Sequence, residues 1–331
     1  MEKNTDIMHI FFASDDKFTL PLTNAISSIL RNANKTDKLF FHILDKNISQ
    51  KHKRKIENLK DIKDFGIEYI EVDNNLFAEC PLTKECSHIP IQTYYRYLIP
   101  QLRPDLDKVL YLDCDILIVS SLKSLWRIDL KDTYCGVVEE MYEKTKSDAM
   151  RLGVKSYFNA GVLLINNRKW VEEKVDIQLF ENTKKLYKTN NLIWQDQDVL
   201  NKTFEDNVTW LNPKYNLQQH CHNNYTYTQY SSEDITEAQK DTVIVHYNTD
   251  AKPWSKGYKC SFRKKEYIDE MLKNKYYKEY FLYIVKNILK NGILKNIFSI
   301  SNIYEIGDKY KLIRFLGIKI KIKANKGFSK S

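Results

Sequence analysis

Asp113 and Asp115 stand one residue apart in KVLYLDCDILI (108–118), a strand-forming apolar run that these two carboxylates break. In an extended chain successive side chains point to opposite faces, so the two carboxylates project together and Cys114 points away. Two such groups on one side repel, and one of them stays protonated unless a cation compensates. A divalent metal holding a phosphorylated substrate is the natural complement. A buried strand ending in carboxylates also lies where an open α/β sheet receives its ligands, outside the carboxyl ends of its strands. Asp-x-Asp alone fits two other readings, a strand closing in a polar turn and a phosphohydrolase with Asp113 as nucleophile. Its flanks and companions have to separate them.

The elements that must position this pair are visible upstream. HIFFAS (9–14) reads as a short buried strand followed by Asp15 and Asp16, and LPLTNAISSILRNA (20–33) as a helix carrying Leu22, Ile26, Ile29 and Leu30 at helical spacing. KLFFHILD (38–45) predicts a second strand, the Lys51–Leu59 region a charged helix, and IEYIEV (67–72) a third strand. This β-α-β-α-β opening predicts a parallel sheet of nucleotide-binding type, with the aspartates on its fourth strand. YCGVVEE from Tyr134 and AGVLLIN (160–166) add strands, WQDQDVLNKTF begins as a helix, and TVIVHYNTDAKPW (242–254) is a strand running into a loop. Glu139 and Glu140, after the fifth strand, sit where a contact to a second substrate would be expected, but read more simply as solvated loop acids.

With 331 residues, 43% hydrophobic and 29% charged, the chain has the content of a soluble globular protein and the length for one large core or two modest ones. Its net charge of +9 is unevenly placed: from Phe281 onward eleven Lys and Arg face only Glu305 and Asp308, which leaves the first 280 residues neutral. In that tail, apolar residues at 281, 285, 288, 289, 293, 297 and 300 recur with helical spacing, and KLIRFLGIKIKIK (311–323) alternates like a half-exposed strand. No stretch is long and charge-free enough to span a bilayer. The expected organisation is an α/β domain over 1–280 and a basic amphipathic tail over 281–331. The tail is suited to packing against the domain or to lying on an anionic membrane surface. Nucleic acid is disfavoured as a partner, because the tail lacks a reader motif and the neutral domain shows no second basic stripe. The six cysteines form no CxxC pair and the N-terminus lacks a secretory pattern, which points to a cytoplasmic location.

FFASDD (11–16), TYYRYLIP (93–100), KVLYLDCDIL, YFNAGVLLIN (157–166), QDQD (195–198) and HYNTDAKPW (246–254) occur in the order seen in glycosyltransferase family 8. Over roughly residues 7–260 the chain resembles that family's retaining bacterial lipopolysaccharide α-galactosyl- and α-glucosyltransferases, and more distantly glycogenin. The resemblance implies the GT-A fold, a Rossmann-like nucleotide-sugar-binding α/β domain with a mixed sheet flanked by helices. It also implies a UDP-hexose donor and Mn²⁺, in preference to Mg²⁺. Carried over by position, Asp113, Asp115 and His246 are the metal ligands; two carboxylates and an imidazole suit Mn²⁺ better than an all-oxygen Ca²⁺ cage. Ala13-Ser14-Asp15 matches the segment that holds uridine and ribose, although Lys17 stands where several relatives have a smaller polar residue. Arg96 matches the arginine that reaches the donor sugar or phosphate. Asn159-Ala160-Gly161 and Asp196-Gln197 match residues around the hexose, where the polar side chains bond hydroxyls and the small pair leaves room for the ring. Lys252 would neutralise the departing diphosphate, with Thr249-Asp250 replacing the Gly-Pro that relatives often carry before Ala-Lys-Pro-Trp.

The reaction so implied is transfer of galactose or glucose from UDP to a sugar hydroxyl with retention of the α configuration. The metal and Lys252 would stabilise charge developing on UDP. Gln197 or Asp196 could attack the anomeric carbon and form a covalent intermediate. Alternatively the acceptor enters on the face that UDP leaves, with Gln197 only supporting the oxocarbenium-like state. An amide is a poor nucleophile, which favours the second route. The implied acceptor is a glycan, a lipopolysaccharide or lipooligosaccharide core anchored in lipid, with the enzyme peripheral at the cytoplasmic face of the inner membrane.

Overall fold

The computed structural model describes residues 7–83, 90–205, 207–219, 228–255, 262–274, 298–305, 308–315 and 318–323. They fall into two units, Met1–Asn274 and Lys275–Ser331. The first is built on β1 (Ile7–Asp15), β2 (Lys38–Lys46) and β3 (Gly66–Glu71), which pair in parallel. Ile10, Phe11, Phe12, Phe41 and Ile43 are wholly buried, the continuous apolar run of strands covered on both faces. Each such side chain contributes about 1.5–3 kcal/mol through burial.

Between β1 and β2 the chain runs through α1 (Thr19–Asn32), which buries Leu22, Ala25, Ile26 and Ile29 along one stripe. The entry to α1 is set by Asp15, whose Oδ1 accepts from the N–H groups of Lys17 and Phe18 at 3.0 Å each and closes a short 3₁₀ turn. Between β2 and β3 lies α2 (Gln50–Glu57), capped by the Ser49 hydroxyl, which accepts from His52 N–H.

On its other side β1 pairs in parallel with β4 (Val109–Leu112), and β4 pairs antiparallel with β7 (Phe158–Ile165). With β6 (Cys135–Glu139) and β8 (Thr209–Trp210) the sheet has seven strands in the order β3-β2-β1-β4-β7-β6-β8. It is mixed, and the strand order reverses direction between β1 and β4. That switch point is where an open α/β sheet leaves a crevice at its carboxyl ends.

The single strand expected over 108–118 is two strands in two sheets. β4 stops at Leu112, Asp113 N–H makes a last bond to Gly161 O at 2.8 Å, and the chain bends. It resumes as β5 (Ile116–Ile118), paired antiparallel with β10 (Ile244–His246), which also pairs with β9 (Leu217–Gln218). Asp113-Cys114-Asp115 is therefore the step between sheets. Cys114 still points away from the aspartates, its thiol donating to Ala13 O at 3.3 Å.

The second unit contains an antiparallel meander of β11 (Phe298–Glu305), β12 (Asp308–Phe315) and β13 (Ile318–Lys323). Ile300, which the helical spacing counted as helix, belongs to β11, and positions 281–297 lie outside the described residues. The alternating run over 311–323 is shared between β12 and β13. Among the described residues no helix is long and apolar enough to cross a membrane.

One buried group ties stability of the sheet to pH. His42 on β2 is fully buried and stacks on Phe11, with centroids 4.3 Å apart and planes 11° from parallel. Burial pushes its pKa down from 6.5 to about 4, with the carboxylate of Glu68 opposing only in part. An unfolded histidine takes up a proton near 6.5 while the folded one resists until about 4, so stability is lost as pH falls through that window. The loss is at most about 3 kcal/mol. Urea denaturation from neutral pH down to about pH 4 should show this decline, and His42→Gln should flatten it.

Candidate active site

Asp113 and Asp115 come from one segment and His246 from another, more than a hundred residues on, and they converge because β5, which follows Asp115 directly, pairs with β10 at the sheet step. The register sets His246 opposite Ile116, and Tyr247 N–H donates to Asp115 O at 2.9 Å. His246 Nε2 then lies 3.2 Å from Asp115 Oδ1 and 4.0 Å from Asp113 Oδ2. One ligand atom from each residue falls within 4.8 Å of the others. Ligands on an octahedral ion with bonds of about 2.1 Å are separated by about 3 Å when adjacent and about 4.2 Å when opposite. The trio therefore fits a small divalent cation, with positions left over for a substrate.

Gly161 makes this convergence possible. A Cβ at that position would lie 2.7 Å from Asp113 Oδ2 and closer still to the His246 ring. Sequence reasoning read the small Ala160-Gly161 pair as room for a sugar ring, but the space beside Gly161 is filled by the protein's own ligand groups.

Positive charge surrounds the carboxylates. Arg96, in the 3₁₀ helix Ile91–Leu98, is 2% exposed and stacks its guanidinium 4.1 Å from the centroid of Tyr111. It bonds Asp113 Oδ1 at 3.1 Å, Thr93 O at 2.9 Å and Ala160 O, and ion-pairs with Asp196 at 3.1 Å. Arg96 thus acts on the site through the carboxylates and carbonyls that it holds. Lys252 Nζ reaches Asp115 Oδ2 at 2.5 Å and Tyr247 O at 2.7 Å. Burial raises the Asp115 carboxyl, but the Lys252 ammonium, joined by the His246 ring whenever that ring is protonated, outweighs it and holds that group well below the usual carboxylate range. Asp196 behaves oppositely: burial lifts it to about 6 against the pull of Arg96, and the charge of Asp113 adds to the rise. Its buried Oδ2 receives no aligned hydrogen bond despite the nearby guanidinium.

Asp196 and Gln197 open the Gln195–Phe204 helix as the sequence reading expected. Gln195 sits just before them at φ 49°, a left-handed conformation that costs a non-glycine residue and aims the next two side chains. Asp198 clamps the turn, accepting from the N–H groups of Ile193 and Trp194 and from Tyr157 OH. Gln197 is held at both ends of its amide: Oε1 accepts from Ala160 N–H at 2.9 Å and Nε2 donates to Glu140 at 3.1 Å. At the end of β1, Asp15 Oδ2 accepts from Gln92 Nε2 at 3.2 Å beside half-buried Ala13.

Glu139 and Glu140 are not solvated loop acids; they are 7% and 8% exposed. Glu139 accepts from Thr228 and Gln229, and burial raises its pKa. Glu140 accepts from Asn159 Nδ2 at 2.7 Å, Gln197 Nε2 at 3.1 Å and Asn248 Nδ2 at 3.1 Å. Both ends of the Asn159 amide are engaged, since Oδ1 accepts from Gly161 N–H and Asn216 Nδ2.

The match to known proteins follows this geometry. Residues 9–257 match glycosyl transferase family 8. This chain belongs to that family. It is 29% identical to the lipopolysaccharide 1,2-glucosyltransferase of Escherichia coli over 75% of this chain and 74% of that one. It is 26% identical to general stress protein A of Bacillus subtilis over 79% and 92% of the two chains. Among solved structures it is similar to galactosyltransferase LgtC in complex with donor and acceptor sugar analogues, with 30% identity, a TM-score of 0.71, and coverage of 81% of this chain and 96% of that one. The fold of this family 8 enzyme is GT-A, a mixed sheet flanked by helices.

Sequence reasoning did not single out Asn216 or Asn248, and it misjudged Glu140. Asparagines in loops carry no local signal of burial, whereas the VVEE run of β6 did place Glu140 at the carboxyl end of a strand. Because Gly161 must lack a Cβ, Gly161→Ala should weaken divalent-cation binding about tenfold or more, the scale seen when the support of a metal ligand is lost. Mn²⁺ titration followed by electron paramagnetic resonance, with circular dichroism as the folding control, measures this. Cys114→Ser should leave binding intact, because that side chain faces β1.

Proposed function

We propose that this family 8 glycosyltransferase moves a hexose, galactose or glucose, from a UDP-sugar to a glycan hydroxyl with retention of configuration. The observation that carries the reading is the joining of two groups through Ala160-Gly161: Ala160 N–H anchors Gln197, while Gly161 abuts Asp113 and His246. An amide dipole and a cation-ready trio at the carboxyl ends of β1 and β4 suit a diphosphate leaving group on one side and an electron-poor sugar carbon on the other. The lipopolysaccharide glucosyltransferase relative and the likeness to LgtC support a sugar-nucleotide donor and a glycan acceptor.

A divalent ion held by Asp113, Asp115 and His246 would stabilise negative charge on the departing diphosphate. The imidazole ligand favours Mn²⁺ over Mg²⁺, which prefers oxygen donors. Lys252, half-buried at the edge of the trio, would pass from Asp115 to the diphosphate as charge builds there. Ala13 and Asp15, at the end of β1, would face the nucleoside. Arg96 would keep Asp113 and Asp196 oriented rather than touch the donor. Gln197, pinned at both ends, would present its carbonyl dipole to the oxocarbenium-like carbon, consistent with entry of the acceptor on the face that UDP leaves. Asp196 is 4% exposed and lies against Arg96, which counts against its acting as a nucleophile.

Purified protein with Mn²⁺ should release UDP from at least one UDP-hexose in a donor panel, and turnover with none of them would overturn the reading. Asp113→Asn or Asp115→Asn should abolish turnover with the fold retained. Gln197→Ala should lower the rate about 10²-fold, the scale of one electrostatic stabiliser, without altering the anomer formed. A phosphohydrolase would instead release phosphate from small esters and be insensitive to loss of Lys252.

We further propose that the acceptor is lipid-anchored, as a lipopolysaccharide core is, and that the basic segment from Phe281 onward meets the anionic surface around it. Each Lys or Arg near such a surface contributes about 1 kcal/mol. Replacing Lys319, Lys321 and Lys323 together by Gln should weaken sedimentation with anionic vesicles while sparing transfer to a soluble acceptor. High salt should act in the same direction.

A further inference from the structure

The amide of Asn159 has partners that leave no choice of orientation. Gly161 N–H, 3.0 Å away, can only donate, so the atom facing it is Oδ1. At the other end the carboxylate of Glu140, 2.7 Å away, takes the hydrogen of Nδ2. Asn216 approaches Asn159 Oδ1 at 2.9 Å and must therefore present its own Nδ2 there. That leaves Asn216 Oδ1 toward His246 Nδ1, at 3.0 Å. An amide oxygen only accepts, so Nδ1 carries the hydrogen and the lone pair of a neutral ring sits on Nε2. Nε2 is the nitrogen that faces Asp115 and Asp113.

We propose that Asn216 is a positioning residue that holds His246 in the tautomer whose Nε2 lone pair faces the cation site. A lone pair directed at two carboxylates is a poor arrangement until a cation lies among the three. Asn159, Asn216 and His246 are 4%, 0% and 2% exposed, so water does not readily replace a lost partner. The direction of the chain originates in a backbone N–H and a carboxylate, neither of which can reverse. A metal-bound histidine takes its orientation from the group bonded to its other nitrogen, and Asn216 supplies that group here.

The inference rests on the cation reading of the trio, and the test separates the two. Mn²⁺ alone is titrated into full-length protein and the free aquo-ion signal is followed by electron paramagnetic resonance. Wild type should bind. Asn216→Leu, which keeps the volume but offers no acceptor, should weaken binding about 10- to 100-fold. Asn216→Asp should hold binding at the wild-type level, since a carboxylate still accepts from Nδ1–H, while it sets two oxygens against each other at Asn159. Rescue by aspartate but not by leucine is the signature of a tautomer effect. Equal binding by wild type and both variants, or equal loss in both, would overturn the assignment. Should the leucine variant fail to fold, loss of Mn²⁺ binding in the folded aspartate variant would overturn it as well. Wild-type protein that binds no Mn²⁺ would instead remove the cation reading itself.

Discussion

Mutual repulsion of Asp113 and Asp115 is the constraint on which the rest of the site depends. Two unit charges about 4 Å apart at an effective dielectric near 20 cost about 4 kcal/mol, against about 5–15 kcal/mol for the stability of a whole domain. The protein meets this with Arg96 behind Asp113 and Lys252 beside Asp115. Neither cation could do so from the surface. Arg96 gives up its hydration, and Tyr111, Asp196 and two carbonyls take the place of water around it.

Fixing these charges demands a rigid frame, and the frame is a step between two sheets. Where β4 ends and β5 begins, the backbone turns through Asp113-Cys114-Asp115 while β7 and β10 close in from either side. The step is crowded enough that Gly161 alone among residue types fits beside His246 and Asp113. Ala160 and Gly161 therefore serve both halves of the site. One peptide anchors the Gln197 amide, and the next leaves space for the cation ligands.

Beneath this lies a set of amides and a carboxylate, half-buried Gln197 with buried Glu140, Asn159 and Asn216, that ends at the His246 ring. Every member is hydrogen-bonded, and such a network rigidifies when satisfied and is costly when broken. Its chemistry is directional, because each amide has one donating and one accepting end. Orientation fixed at Glu140 and Gly161 is thereby transmitted to a ring nitrogen several residues away in space.

The alternation of strands and helices to β3, the Asp-x-Asp pair, the helix opening at QDQD and the strand leading to His246 were legible in the sequence. Each rests on local periodicity or on residue type within a short window. Family membership was legible too, because six short motifs keep their order over one domain. The break of the 108–118 run was not. An unbroken apolar strand and two strands in different sheets have the same local pattern, and only the end of the β4–β7 ladder at Gly161 decides between them. Likewise Glu140 reads as a solvated acid until Asn159, Gln197 and Asn248 are seen around it. Sequence by itself determined which groups could do chemistry and roughly which element carries each. Tertiary structure alone decided which atoms meet, because His246, Gly161, Glu140 and Asn216 are brought together by strand register between distant segments, and register is a property of pairs that no single window contains.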